Sequence, residues 1–140
     1  MIVLDTNVLS ELMRPEPHPA VFAWVAAQSR SSLYTTAINR AEVLYGIAAL
    51  PAGRRKDALA AAAEAVFSED LAGRILPFDT SSAAHYARLV MARREAGTPI
   101  EAFDALIAAA TLAAGAGLAT RDTGGFAGCG LSVVNPWEAT

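Results

Sequence analysis

Ile2-Val3-Leu4-Asp5-Thr6-Asn7, at the amino terminus, is the stretch on which the fold turns. A short, uninterrupted apolar run of this kind reads as a strand buried on both faces, the strand type of a parallel sheet covered by helices. Asp5 closes the run, and Thr6 or Asn7 is available to cap a following helix. The same grammar returns near the other end, where Asp122 closely follows Gly117-Leu118-Ala119-Thr120. Two acids therefore stand just past the carboxyl ends of two short buried strands, the edge at which open α/β sheets bind ligands.

Working outward, a helix over about 7–13 stops at Arg14-Pro15-Glu16-Pro17-His18-Pro19, and a second spans about 20–28. Leu33-Tyr34-Thr35-Thr36 reads as a strand. A helix over about 37–50, anchored by Ile38, Val43, Ile47 and Leu50, ends at Pro51-Ala52-Gly53, and another follows over about 53–67. Ile75-Leu76-Pro77-Phe78 fits an edge strand, because proline lacks the N–H that an inner strand needs. Asp79-Thr80-Ser81 caps a long helix to about 96, closed by Gly97-Thr98-Pro99. A helix carrying Asp104, broken by Gly115 and Gly117, precedes strand Leu118-Ala119-Thr120, and Leu131-Ser132-Val133-Val134 is the last strand before Asn135-Pro136-Trp137. Strands alternating with helices predict an α/β fold, a mostly parallel central sheet sandwiched by helices, and 140 residues predict one domain over 1–140.

Hydrophobic residues make up 54% of the chain and charged ones only 18%, which excludes a disordered segment and predicts that a partner covers some apolar surface. A net charge of −3 excludes a protein that grips nucleic acid through bulk charge, so any such contact is local. Ten of the eleven basic residues are arginine, whose planar fork suits phosphate oxygens. One cysteine, Cys129, rules out an internal disulfide, and the start lacks the basic and apolar regions of a signal peptide; a cytoplasmic protein is expected. The alanine-rich stretch 102–119 is interrupted by Asp104, Thr111 and two glycines, so it reads as a core helix and not as a membrane span.

Asp5, Glu42, Asp104 and Asp122 together read as one metal site. Asp104 stands alone in Ala102-Phe103-Asp104-Ala105-Leu106-Ile107-Ala108-Ala109-Ala110-Thr111-Leu112, and a charge on so apolar a helix needs a partner or a polar cleft. Carboxylates crowded together raise one another's pKa unless a cation neutralises them. Oxygen ligands without Cys or His select a hard ion, Mg²⁺ or Mn²⁺. Two such ions roughly 4 Å apart provide a general route to phosphodiester hydrolysis by an activated water. Ala108 and Thr111 share the Asp104 face and are expected to leave room for water and metal, while Thr6 and Thr120 can hold a ligand beside the acids. Each acid also has a plainer explanation: a helix cap for Asp5, a solvated helix residue for Glu42, a turn residue for Asp122 and half of a buried ion pair with arginine for Asp104.

Val3-Leu4-Asp5-Thr6-Asn7, Asn39-Arg40-Ala41-Glu42 with Tyr45-Gly46, Phe103-Asp104-Ala105-Leu106-Ile107-Ala108-Ala109 and Leu118-Ala119-Thr120-Arg121-Asp122 resemble, in order, the successive motifs of a PIN domain. The match runs from Met1 to Asn135-Pro136-Trp137, and that ending is most similar to the bacterial VapC-type toxins of the plasmid-stability or Fit-type branch. The resemblance implies an endoribonuclease of a type II toxin–antitoxin pair, dependent on Mg²⁺ or Mn²⁺. It places Asp5, Glu42 and Asp104 on the three metal-binding acids and Asp122 on a fourth, more variable position. The branch commonly reads Thr-Arg-Asn with Asp-Phe three residues later, whereas here Asp122 takes the Asn place and Gly125 precedes Phe126, as though one acid had moved. The resemblance further implies a homodimer, an RNA substrate, a cognate antitoxin that covers a groove, and operator DNA reached only through that antitoxin. Val8, Leu9, Leu12, Val43, Leu44, Ile47 and Leu50 are the expected groove residues, with core packing as their alternative.

Competing activities fail on residues present. An aspartyl phosphatase wants a second acid two residues after the first, where this chain has Asn7, and a receiver domain wants a lysine after a late strand, where the only lysine is Lys56 in a helix. A PIN-like module whose active site has lapsed and which acts by holding a partner remains the alternative, supported by Gly125. His18 and His85 read as surface residues, and Cys129 lacks a His or Cys partner in sequence. Arg54-Arg55-Lys56 and Arg93-Arg94 are candidate phosphate contacts or solvated helix faces, and Arg121 is either a substrate-phosphate contact or half of a salt bridge.

Overall fold

The computed structural model describes residues 1–139. Five strands, β1 (Ile2–Leu4), β2 (Leu33–Thr36), β3 (Ile75–Leu76), β4 (Gly117–Ala119) and β5 (Val133–Val134), form one sheet in the order β3-β2-β1-β4-β5. Every pairing is parallel, so the expected mostly parallel sheet is wholly so. Six helices connect and cover it: α1 (Thr6–Leu12), α2 (Pro19–Ala27), α3 (Ala37–Ala48), α4 (Arg54–Ala65), α5 (Thr80–Glu95) and α6 (Ala102–Ala113).

Alternation along the short strands divides the core between two faces. Val3 and Leu118 pack with Leu89, Ala105, Ile107 and Ala109 beneath α5 and α6. Their neighbours Leu4 and Ala119 pack with Val8, Leu9, Val21, Val43 and Ala63 from α1 to α4. Both faces are therefore covered, which is why the strands carry continuous apolar runs.

The order β3-β2-β1-β4-β5 reverses direction between β1 and β4. There the loops leaving the two strands part to opposite sides, opening a crevice at the carboxyl edge. Asp5 follows β1 and Asp122 lies three residues past β4, so the topology places both acids at that switch point.

Glycine stops the two long helices as the sequence indicates. Gly97 and Gly115 have φ of 76° and 67°, and their N–H groups donate to Arg94 and Leu112 while the next residues donate to Arg93 and Thr111. Such paired reverse bonds satisfy the last helical carbonyls and favour glycine at the left-handed position. The helix expected over 53–67 differs: α4 ends at Ala65 and widens into a π turn over Val66–Asp70, with Phe67 buried. The last strand is shorter than the expected Leu131–Val134, and Pro77 truncates β3. No helix among the described residues is long and apolar enough to cross a membrane.

Candidate active site

Asp5 is the N-cap of α1 and is only 5% exposed. Its Oδ1 accepts from the Thr6 N–H at 2.9 Å and from Asn39 Nδ2 at 2.9 Å, and its Oδ2 accepts from Thr120 Oγ1 at 2.7 Å. Burial pushes the carboxyl above its ordinary range, partly offset by these three bonds, and the charge of Asp122 pushes in the same sense as burial. The cap reading of Asp5 is thus correct, and it is compatible with a place in the acid cluster.

Asn39, fully buried on α3, was not singled out from the sequence. Its Nδ2 also donates to Thr6 Oγ1 at 3.0 Å, and its Oδ1 accepts from Thr36 Oγ1 at 2.6 Å. Thr6 Oγ1 in turn donates to Glu42 Oε1 at 2.8 Å. Glu42 lies three residues beyond Asn39, on the same helix face, and that spacing was the available signal. Burial raises the Glu42 carboxyl, Thr6 lowers it, and the charges of Asp5 and Glu101 raise it further.

Thr120 is fully buried and works on both sides of the crevice. Besides donating to Asp5, its Oγ1 accepts from Asn7 Nδ2 at 3.1 Å and from the Asp122 N–H at 3.1 Å. Asn7 Oδ1 accepts the Arg121 N–H at 3.2 Å, so α1 is tied to the loop after β4.

Asp104, half-buried in the first turn of α6, has its carboxyl pushed up to about 6, chiefly by burial and then by Asp5, Glu101, Asp122 and Glu42. A helix amino terminus lowers a carboxyl, so burial and like charge outweigh the dipole here. Glu101 is the N-cap of α6, accepting the Asp104 N–H at 3.0 Å, and is a fifth acid that sequence reasoning missed. Its placement three residues before an apolar helix's only charge was the clue.

The plainer reading of Asp104 as half of an arginine ion pair fails. Among the described residues the salt bridges are Arg14–Glu11 and Arg30–Asp70, neither of them at the site. The acids therefore act on one another's charge with no arginine or lysine among the described residues in salt-bridge reach. No three His, Cys, Asp or Glu side chains among the described residues are placed so that together they could hold a metal ion. The donors nonetheless fit a hard divalent cation in type: they are oxygens only, and like charges that repel need a cation to draw them together.

Several expectations are corrected. Ala108 and Thr111 make no wet space beside Asp104: both are fully buried, and Thr111 Oγ1 donates to Ile107 O at 2.7 Å. Ala108 lies about one turn and Thr111 about two turns beyond Asp104 along α6, where the helix is covered by the core. Arg93 does not reach outward for phosphate; it is 8% exposed and donates to Thr98 O at 2.6 Å, Gly125 O at 2.8 Å and Ala127 O at 3.0 Å. Lys56 donates to Ala48 O and Leu50 O, closing the end of α3. His18 caps α2 by accepting the Ala20 N–H, and His85 is half-buried in α5, so only the former is a surface residue. Cys129 is buried and free, 3.7 Å from Arg93 Nη1.

A cleft of about 680 Å³ runs from Thr6, Asn7 and Glu42 past Val43, Ile47 and Leu50 to Arg14 and Arg55, with Arg121 and Trp137 along it. Of the expected groove residues, Val43, Ile47 and Leu50 line it. Val8 is core, Leu44 is exposed outside it, and the buried Leu9 lines a separate apolar cavity together with Leu12. Arg121 makes no salt bridge among the described residues; its guanidinium lies over the Trp137 ring, 5.0 Å from the centroid.

The model of the PIN domain matches residues 2–128. The chain is 46% identical over 138 residues to the VapC ribonuclease Y4jK of Sinorhizobium fredii, covering 99% of both chains. It is 42% identical to Toxin FitB of Neisseria gonorrhoeae over 138 residues, again 99% of both. A solved structure of FitAB bound to an IR36 DNA fragment matches with a TM-score of 0.92 and 41% identity, over 100% of this chain and 98% of that one. With its parallel sheet, its switch-point acids and relatives of this kind along its whole length, the chain belongs to the PIN-domain family, in the VapC- and Fit-type branch.

Proposed function

We propose that this protein is the toxin of a type II toxin–antitoxin pair and acts as a Mg²⁺- or Mn²⁺-dependent endoribonuclease. One observation carries the reading: Asp5 and Glu42 share one hydrogen-bonded network through Thr6 at the switch point, the charges of both bear on Asp104, and no arginine or lysine among the described residues is in salt-bridge reach of them. Such a cluster is stable as anions only with a cation among them. Relatives covering nearly the whole chain and named ribonuclease and toxin give the chemistry its direction.

Asp5, Glu42 and Asp104 are the residues that would hold the principal cation, with Asp122 assisting. The cation, when bound, supplies charge neutralisation at the phosphate and activation of a water. Asp5 is fixed by Thr6, Asn39 and Thr120, so its carboxylate needs little reorganisation. Thr6 orients Glu42 by the same logic, and Thr120 spans Asp5 and Asp122. Arg121, beside Asp122, is the residue for a substrate phosphate oxygen. No side chain is needed as nucleophile.

The proposed partners are an RNA substrate, a second copy of the chain and an antitoxin seated in the apolar part of the cleft, in the cytoplasm. Operator DNA would be met through the antitoxin, consistent with a structural neighbour that is a complex bound to DNA. A lapsed site is the weaker reading, because Gly125, its best support, yields its side-chain space to the Asp122 carboxylate.

The test is cleavage of total RNA by purified protein with Mn²⁺ or Mg²⁺ beside Asp104→Asn prepared identically. Cleavage by the parent alone, stopped by chelator, is expected. Equal traces from both proteins would sink the nuclease assignment.

A further inference from the structure

Beyond the acids, the cleft holds one pair of side chains built as a unit. The Arg121 backbone is fixed by Asn7 Oδ1, which accepts its N–H at 3.2 Å. Its guanidinium lies 5.0 Å over the ring centroid of Trp137. Trp137 packs against the apolar cluster that contains Leu4, Val8 and Ala119, and its backbone N–H donates to Asn135 Oδ1 at 2.9 Å. Core, indole and guanidinium thus form a layered support at the cleft wall, next to Thr6 and Glu42. Arg55 lies farther along the cleft without a salt bridge among the described residues, and Arg14 pairs only with Glu11. Against Glu11 and Glu42 on the same cleft, Arg14, Arg55 and Arg121 leave a surplus of one positive charge in a chain of net charge −3.

We infer that the Arg121–Trp137 stack is a nucleotide-binding subsite for single-stranded RNA, holding the unpaired nucleotide beside the cleaved phosphate. This deepens the ribonuclease reading and rests on it. Unstacked bases lie on guanidinium planes and aromatic rings, and the N–H fork of arginine takes phosphate oxygens. A free arginine side chain pays rotamer entropy to bind, and the indole beneath Arg121 reduces that cost by holding it flat before RNA arrives. A duplex hides its base faces, so the subsite selects unpaired substrate. An acidic segment of a protein partner would also meet arginines here. Arg121 follows Thr120, whose hydroxyl bonds Asp5, and its stack shares the cleft with Glu42, where a scissile phosphate must sit, and this favours RNA.

The experiment uses full-length Asp104→Asn protein, which should not cut, and a fluorescein-labelled ten-nucleotide oligouridylate, with its duplex with oligoadenylate as control. Fluorescence anisotropy is read across a salt series. Arg121→Ala should weaken binding about tenfold and lower the salt slope by about one phosphate's worth. Arg121→Lys should keep the slope and lose about threefold or more, because the charge remains and the plane does not. Trp137→Leu should weaken binding with the slope unchanged, and Trp137→Phe should restore most of it, which separates stacking from a folding defect. With Trp24→Phe added, Trp137 is the sole tryptophan, and its fluorescence should be quenched by the oligouridylate. Parent-like binding by Arg121→Ala and Trp137→Leu overturns the subsite, and loss of binding only to a protein partner assigns the stack to that partner instead. Failure of the Asp104→Asn protein to bind any single strand also overturns it. Metal-dependent cleavage of total RNA by the parent then shows whether the ribonuclease reading survives on its own.

Discussion

The Asp122 carboxylate occupies the space in which a side chain on Gly125 would begin. A Cβ built on Gly125 would stand 2.8 Å from Asp122 Cγ and 3.0 Å from its Oδ1, while the Gly125 N–H donates to that same Oδ1 at 3.0 Å. The glycine is therefore required by a neighbour and not by its own backbone, which has no positive φ. Position 125 cannot bear a side chain while Asp122 keeps this pose, so the acid at 122 and an acid at 125 are alternatives in space.

The pair predicts a reversal of sign. Gly125→Ala should destabilise the parent by about 1 kcal/mol, because Asp122 must swing away and lose the bond to the loop. In Asp122→Ala the same substitution should be neutral or stabilising by up to about 1 kcal/mol, since the unfolded chain loses freedom. Urea midpoints of the four proteins measure the coupling, and equal effects in both backgrounds would disprove the steric link.

Arg93 holds that loop from its other side. Its guanidinium bonds Gly125 O and Ala127 O and reaches Thr98 O, joining the segment before the Asp104 helix to the loop after Asp122. No carboxylate pairs with it among the described residues, so these carbonyls, with the weaker acceptor Cys129 Sγ, are its compensation. Arg93→Met should cost about 3 kcal/mol in denaturant unfolding, whereas exposed Arg94→Ala should cost under about 0.5 kcal/mol. Similar costs for the two would remove the clamp.

How far the sequence discloses this architecture depends on the kind of signal. Ile2-Val3-Leu4 and Leu118-Ala119-Thr120 announce buried parallel strands by composition, the second starting one residue earlier than expected, at Gly117, and ending before Thr120, and the acids after them announce the edge at which a ligand binds. Asp104 shows itself because a charge in an alanine-rich helix is conspicuous. Asn39 does not, because a neutral amide carries no charge pattern and its importance lies in three partners, Asp5, Thr6 and Thr36, brought together only by folding. Arg93 and Arg94 look alike as a pair, yet adjacent helix positions point about 100° apart, and only packing decides which is buried. The same reason separates Val43, buried and lining the cleft, from its neighbour Leu44, which is exposed outside it.

The raised carboxyls make the metal-free protein less stable toward neutral pH. Asp104 ionises near its ordinary 3.8 in the unfolded chain and at about 6 in the folded one. Between those values the folded state binds more protons, so stability falls as pH rises and the loss is complete above about 6. Asp104→Asn removes this penalty, and with solvent screening of a half-buried group the metal-free variant should exceed the parent by about 1–2 kcal/mol at pH 7.5 and match it near pH 3.5. Mn²⁺ should reverse the order at pH 7.5 by stabilising the parent alone. A parent more stable than the variant in chelator would contradict the shift.

Glu101 has two roles that a pair of substitutions separates. As the N-cap of α6 it satisfies the Asp104 N–H, and as a negative charge it helps raise both Asp104 and Glu42. Glu101→Gln keeps an acceptor oxygen for the cap and removes the charge, so metal-free stability at pH 7.5 should rise slightly and the Asp104 titration should move down from about 6. Glu101→Ala loses both, and the missing cap should cost about 1 kcal/mol. Carboxyl titration by NMR with urea unfolding reads the two effects. If glutamine leaves the Asp104 titration in place, Glu101 is a cap alone and the cluster has four acids. If the titration moves, a divalent cation meets a fifth negative charge at the mouth of the site, and Glu101→Gln should then weaken Mn²⁺ binding while leaving the helix intact.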